Sequence, residues 1–153
     1  MVDRLSYANM MTENSDRVLE LIRASEQFSN EMIIRWSKSF PKKVGISPIL
    51  VLAEIEKHGP QKQSTLAKEL GYTPGALTNI ANRLIKERLA IRMNDPDDRR
   101  VVRLSITEKG IDLLKEAKQK GQEIRQEVFA GLTEEELHWF LRIHQKLLNK
   151  LMK

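Results

Sequence analysis

Apolar residues recur along this chain at two spacings, and the places where one gives way to the other mark out its elements. From Asp16 to Phe40, the residues Val18, Ile22, Phe28, Met32, Trp36 and Phe40 fall near helical spacing, with only Ser25 interrupting the stripe. This predicts one long amphipathic helix, broken by Pro41 and Gly45. Ser47-Pro48 then reads as an N-cap followed by proline at the first helical position of a short helix through Ile49, Leu52 and Ile55, which stops at His58-Gly59-Pro60. A brief helix from Ser64 to Leu70 turns Leu66, Ala67 and Leu70 inward and is closed by Gly71. Thr73-Pro74 restarts the helix at once, so Gly71-Tyr72-Thr73 is the tight turn of a helix-turn-helix.

After Leu89 the period becomes two. Ile91 and Met93 alternate with Arg92 and Asn94, Asp95-Pro96-Asp97-Asp98 supplies a polar turn, and Val102, Leu104 and Ile106 alternate with Arg103 and Ser105. That pattern predicts a β-hairpin. Helical spacing then returns: Thr107 caps a second long helix through Ile111, Leu114, Ala117, Gly121, Ile124 and Val128. Thr133-Glu134-Glu135-Glu136 has capping-box spacing and opens a last helix carrying Leu137, Leu141, His144, Leu148 and Leu151. The fold class expected is mainly α with a small β-hairpin wing: a winged helix-turn-helix lobe over 47–107, flanked by helical regions 1–46 and 108–153, in a single domain spanning 1–153.

The helix that follows the tight turn, Thr73 to about Glu87, separates its side chains on a wheel of about 100° per residue. Leu77, Ile80, Ala81 and Leu84 gather on one side. Gly75, Thr78, Asn79, Asn82, Arg83 and Lys86 gather on the other, which carries no acidic residue. Such a face suits the major groove of double-stranded DNA, where base edges offer hydrogen bonds. Asn79 and Asn82 present donor and acceptor side by side, as an adenine edge requires, and Arg83 can fork onto guanine or pair with a phosphate. Gly75 permits close backbone approach, while Thr73 and Thr78 are candidates for phosphate contacts near the positive end of the helix. At the hairpin tip Arg99 and Arg100 stand beside Asp97 and Asp98; an arginine there can reach the minor groove, with Asp98 orienting the Arg100 guanidinium. A solvated helix face and surface ion pairs are the plainer alternatives for the same residues.

Charge agrees with a polyanionic partner: the 153 residues carry 26 Lys and Arg against 21 Asp and Glu, a formal charge of +5. The absence of cysteine excludes disulfides, thiol redox switching and cysteine-ligated metals. His58, His138 and His144 show no metal-ligand spacing, no glycine-rich phosphate loop is present, and no acid, base and nucleophile converge, so neither catalysis nor a cofactor is expected. Neither a leader nor a run of apolar residues long enough for a bilayer is read here, so the expectation is a cytoplasmic protein with no membrane partner.

The last helix repeats Leu137, Leu141, Leu148 and Leu151 much like a coiled-coil seam, with His144 within it as a hydrogen-bonded packing residue or a pH-sensitive or ligand contact. That face and the face of the first helix are too extensive for one small lobe to cover, which predicts a homodimer. Trp36, Phe40, Met32 and Trp139 are read as core before effector pocket.

Three segments carry a family likeness: Leu66-Ala67-Lys68-Glu69-Leu70-Gly71, Leu84-Ile85-Lys86-Glu87-Arg88-Leu89-Ala90-Ile91-Arg92, and Asp95-Pro96-Asp97-Asp98-Arg99-Arg100 running on to Ser105-Ile106-Thr107-Glu108-Lys109-Gly110. With them the chain resembles the MarR family of bacterial winged helix-turn-helix transcriptional regulators. The wing pattern, Asp-x-Arg followed by Leu/Ile-Thr-x-x-Gly, is the specific part. The resemblance implies a homodimer with interleaved terminal helices, two lobes reading a roughly palindromic operator, Arg100 as the wing arginine supported by Asp98, and a small-molecule effector in the crevice between the dimer helices and the lobe. It implies a ligand-responsive repressor, with a winged helix used only for protein interaction as the alternative. The chain departs from the pattern at Arg88, which stands where relatives carry glycine, and at Ala90, where many carry another apolar residue.

Overall fold

The computed structural model describes the backbone of residues 4–40, 44–95, 97–98 and 100–152, with side chains from Ser15 onward. Pro41, Pro96 and Arg99, singled out above, lie outside the described residues. Two compact units are present, residues 1–41 and 42–153. The first holds α1 (Arg4–Ser39), a 36-residue helix that starts a dozen residues before the expected Asp16. Apolar periodicity reports a face to be covered, whereas helix formation requires only the absence of breakers, and residues 4–15 contain neither proline nor glycine. Trp36 and Phe40, one turn apart, stack with ring centroids 4.9 Å apart.

The second unit runs α2 (Ile46–His58), α3 (Gln63–Leu70), α4 (Pro74–Lys86), β1 (Ala90–Asn94), β2 (Val102–Ile106), α5 (Glu108–Phe129) and α6 (Glu134–Leu151). Val51, Leu52, Ile55, Leu66, Leu77, Leu84, Leu104 and Leu114, drawn from α2, α3, α4, β2 and α5, form its fully buried centre. The N-cap of α2 is Gly45 rather than Ser47, and Pro48 lies at the third helical position. The amides of the whole first turn lack intrahelical partners, so proline marks that turn without fixing the position within it.

β1 and β2 pair antiparallel with Ala90 opposite Ile106, Arg92 opposite Leu104 and Asn94 opposite Val102. Gln61 extends the ladder beyond β2, exchanging both backbone hydrogen bonds with Leu104. Directly opposed residues share a face, so Ala90 and Arg92 lie on the side of buried Leu104. Ile91 and Met93, the apolar phase of β1 in the sequence, are exposed instead. The inner side of β1 packs on α4, where small Ala90 is buried, while Arg92 is exposed and reaches Asn82 of α4 through its guanidinium.

The connections that aim α4 are closed at both ends. Gly71, at φ 68°, ends α3 with the amide of Tyr72 donating to the Ala67 carbonyl and its own amide to that of Lys68. Arg88 does the same for α4: at φ 60° its amide donates to the Ile85 carbonyl, and that of Leu89 to the Leu84 carbonyl. Both are Schellman closures with a left-handed residue that favours glycine. Arg88 takes a left-handed conformation that glycine adopts freely, so arginine at this position leaves the turn intact and costs strain. Arg88→Gly is expected to stabilise the chain by about 0.5–1 kcal/mol, the left-handed penalty less the greater freedom of unfolded glycine. A lowered midpoint in denaturant unfolding would contradict this account.

Candidate nucleic-acid interface

α4 is amphipathic in the sense expected. Leu77, Ala81 and Leu84 are buried, whereas Gly75, Thr78, Asn79, Asn82, Arg83 and Lys86 are all exposed. Thr73 caps the helix by accepting from the Ala76 amide at 3.2 Å, with Pro74 following. That bond occupies oxygen lone pairs and leaves the Thr73 hydroxyl proton available to an anion. The hydroxyl of Thr78 instead donates to the Pro74 carbonyl at 2.9 Å, so its proton is committed to the helix. The two threonines, alike in sequence, differ in what they can offer a phosphate.

Partners also distinguish the amide and guanidinium groups. The Asn79 amide has no partner among the described residues. Asn82 accepts through Oδ1 from Arg92 Nη2 at 2.7 Å, a bond from the wing strand to the helix. Arg83 donates through Nε to Glu87 Oε1 at 3.0 Å, an i,i+4 pair whose spacing is visible in the sequence. Asn82 and Arg83 therefore each carry a partner within the chain on the face that the wheel exposed.

The wing is organised by an aspartate that the sequence reading placed only in a turn. Asp95 is buried; its Oδ1 accepts from the amides of Asp97 and Asp98 at 2.9 and 3.4 Å, and its Oδ2 accepts from Arg103 Nε. The Asp97 amide first, and then the Arg103 guanidinium, hold the Asp95 carboxyl below the usual carboxylate range. Arg103 also reaches the Pro60 carbonyl at 3.5 Å. Asp98 accepts from the backbone amide of Arg100 at 3.0 Å, so it shapes the loop under Arg100 rather than gripping the guanidinium as expected. The Arg100 side chain is exposed. Arg92, Asp95 and Arg103 were thus missed as parts of the site. Their pairings depend on hairpin register and on which turn aspartate folds inward, neither of which a residue list specifies.

α6 has no buried residue in the single chain. Leu137 is half-buried; Leu141, His144, Leu148 and Leu151 are exposed, as are Trp139, Ile143 and Leu147, so Trp139 is not core. His144 Nδ1 lies 2.9 Å from the Phe140 carbonyl and its ring rests 4.2 Å from that of Phe140, which makes it a hydrogen-bonded residue on an open face. A cleft of about 600 Å³ opens where α4 ends and α5 begins, lined by Val44, Leu89 and Leu113 with Glu87, Asp112, Glu116 and Lys109 at its polar edge. Among the described residues no three His, Cys, Asp or Glu side chains gather to hold a metal, and no helix is long and apolar enough to cross a membrane.

The MarR family model matches residues 46–102, the stretch from α2 to the start of β2. The HTH-type transcriptional repressor MdtR of Bacillus subtilis (strain 168) is 31% identical over 137 residues, 88% of each chain. The crystal structure of the YusO protein from Bacillus subtilis is similar with a TM-score of 0.70 at 30% identity, covering 90% of this chain and 96% of that one. Wild-type MarR from E. coli, in its apo form, gives a TM-score of 0.73 at 25% identity, over 84% of this chain and 94% of its own. Sequence likeness along most of the chain and a shared winged helix-turn-helix fold lead to one assignment. The chain belongs to the MarR family, whose members are transcriptional regulators and not enzymes.

Proposed function

We propose that this regulator binds double-stranded DNA sequence-specifically as a homodimer and represses transcription from a roughly palindromic operator until a small-molecule effector releases it. The observation that carries the reading is the exposed, acid-free face of α4, set between the tight turn after Gly71 and the wing. In this reading Thr73, Gly75, Asn79, Asn82, Arg83 and Lys86 face the major groove, with Thr78 as packing at its edge. Arg100, with Arg99 beside it and Asp98 shaping the loop, reaches phosphates or the minor groove. Residues 47–107 are the reading lobe, and 1–46 with 108–153 the dimerisation region. The open apolar face of α6 around Leu137, Leu141, His144, Leu148 and Leu151 supports the dimer. Its similarity to the transcriptional repressor MdtR supports repression. The cleft beside Leu89 and Leu113 has the size of a small-molecule site and borders both the lobe and α5.

Titration of labelled genomic fragments at several salt concentrations tests this. The expected result is a salt-dependent shift below micromolar dimer. Arg100→Ala should weaken binding to every duplex about tenfold and reduce the salt slope by about one. An effector would appear in the same assay as a compound that releases the fragment. Absence of any salt-dependent shift at micromolar protein would remove the DNA-binding reading.

A further inference from the structure

Asn82 stands on the face of α4 proposed to enter the major groove, yet its amide oxygen is already engaged by Arg92 at 2.7 Å. A guanidinium only donates, so this contact fixes which end of the amide faces the wing strand: Oδ1 toward Arg92, Nδ2 away from it. The hairpin register makes the contact possible. Arg92 opposes buried Leu104, and so lies on the hairpin face turned toward the lobe rather than on the outer face of Ile91 and Met93. Both partners are exposed, so the pair sits at the surface a duplex would meet.

An asparagine that reads adenine uses both ends of its amide, accepting from the N6 amino group and donating to N7. Here a positive charge rests against the oxygen, opposing the approach of the adenine amino hydrogens. The amide end left open carries two hydrogens. Guanine is the base whose major-groove edge shows two acceptors, N7 and O6, and no donor.

We propose that Arg92 is a specificity-determining positioning residue: by holding the Asn82 amide oxygen it makes Asn82 a hydrogen-bond donor, so that the operator base read by Asn82 is guanine and not adenine. The inference rests on the DNA-binding reading above. Selection from random duplexes with the unsubstituted chain, Asn82→Ala, Arg92→Met and Arg92→Lys tests it. The position read by Asn82 is the one whose preference disappears in Asn82→Ala.

At that position the unsubstituted chain is expected to favour guanine over adenine about tenfold. Arg92→Lys, which retains a donor, should preserve guanine, and Arg92→Met should move the preference to adenine. A purely structural arginine would change overall affinity without exchanging one base for another. Melting of Arg92→Met within about 2 °C of the parent is expected, because exposed pairs of this kind contribute little to folding. Any base other than guanine for the parent, or an unchanged preference in Arg92→Met, overturns the inference while leaving DNA binding standing, as does selection in which Asn82→Ala alters no position. Failure of the parent to bind any duplex in a salt-dependent way overturns the DNA-binding reading and this inference with it.

Discussion

Alanine in place of Gly110 is expected to lower the unfolding free energy by about 3 kcal/mol, a large effect for one methyl group. A Cβ at this position would stand 2.1 Å from the Leu89 carbonyl oxygen and 2.8 Å from Ile106 Cγ1. The first obstacle is backbone, and that backbone is held. The Leu89 carbonyl accepts from the Thr107 amide at 3.1 Å, while the Leu89 amide closes α4 on the Leu84 carbonyl at 2.8 Å. Relief requires α5 to lift off the base of the wing, which would also pull the Thr107 hydroxyl, the N-cap of α5, from the Arg88 carbonyl 2.8 Å away. Thermal unfolding at fixed protein concentration should show a midpoint lower by roughly 10 °C. An unchanged midpoint would mean that α5 moves away from Leu89 at little cost.

The second large effect is expected from Leu141→Glu combined with Leu148→Glu. The two positions lie seven residues apart on one face of α6 and are 58% and 54% exposed in the single chain, so carboxylates there disturb its own packing little. Across a dimer seam the same groups would be buried without partners, which is strongly unfavourable. Sedimentation should find a particle of 17.7 kDa for the variant and, if the parent dimerises as proposed, twice that mass for the parent. Helix content should be retained. Affinity for an operator with two half-sites should drop by about a hundredfold or more, because the second lobe is no longer delivered with the first. Persistence of the dimer would remove α6 from the seam.

Much of the architecture was legible in the sequence because local rules fixed it. The Schellman glycine at Gly71, the Thr73-Pro74 restart, the Thr107 cap and the Thr133–Glu136 capping box all reappear in the structure. The wheel separated the buried and exposed sides of α4 correctly. What it could not supply was the partner of each exposed side chain. Arg83 with Glu87 was within reach of the i,i+4 rule, but Asn82 with Arg92 crosses from helix to strand and depends on hairpin register. The wing showed the same division. Four residues of turn chemistry announced a loop, whereas the choice of Asp95 as its buried centre depended on Arg103, eight residues further on. Ile91 and Met93 were misleading because an alternating pattern gives the period of a strand and leaves open which phase faces inward, and here the neighbouring helix selected Ala90.

The junction around Gly110 also bears on how motion would travel through the lobe. Lys109 Nζ donates to the Glu87 carbonyl at 2.9 Å, Thr107 holds the Arg88 and Leu89 carbonyls, and Gly110 presses on Leu89, so the first turn of α5 is riveted to the turn that closes α4. A helix of 22 residues is about 33 Å long at about 1.5 Å per residue. It acts on α4 as a lever: pivoting α5 about its far end by about 6° would carry the reading helix roughly 3.4 Å, the rise of one base pair.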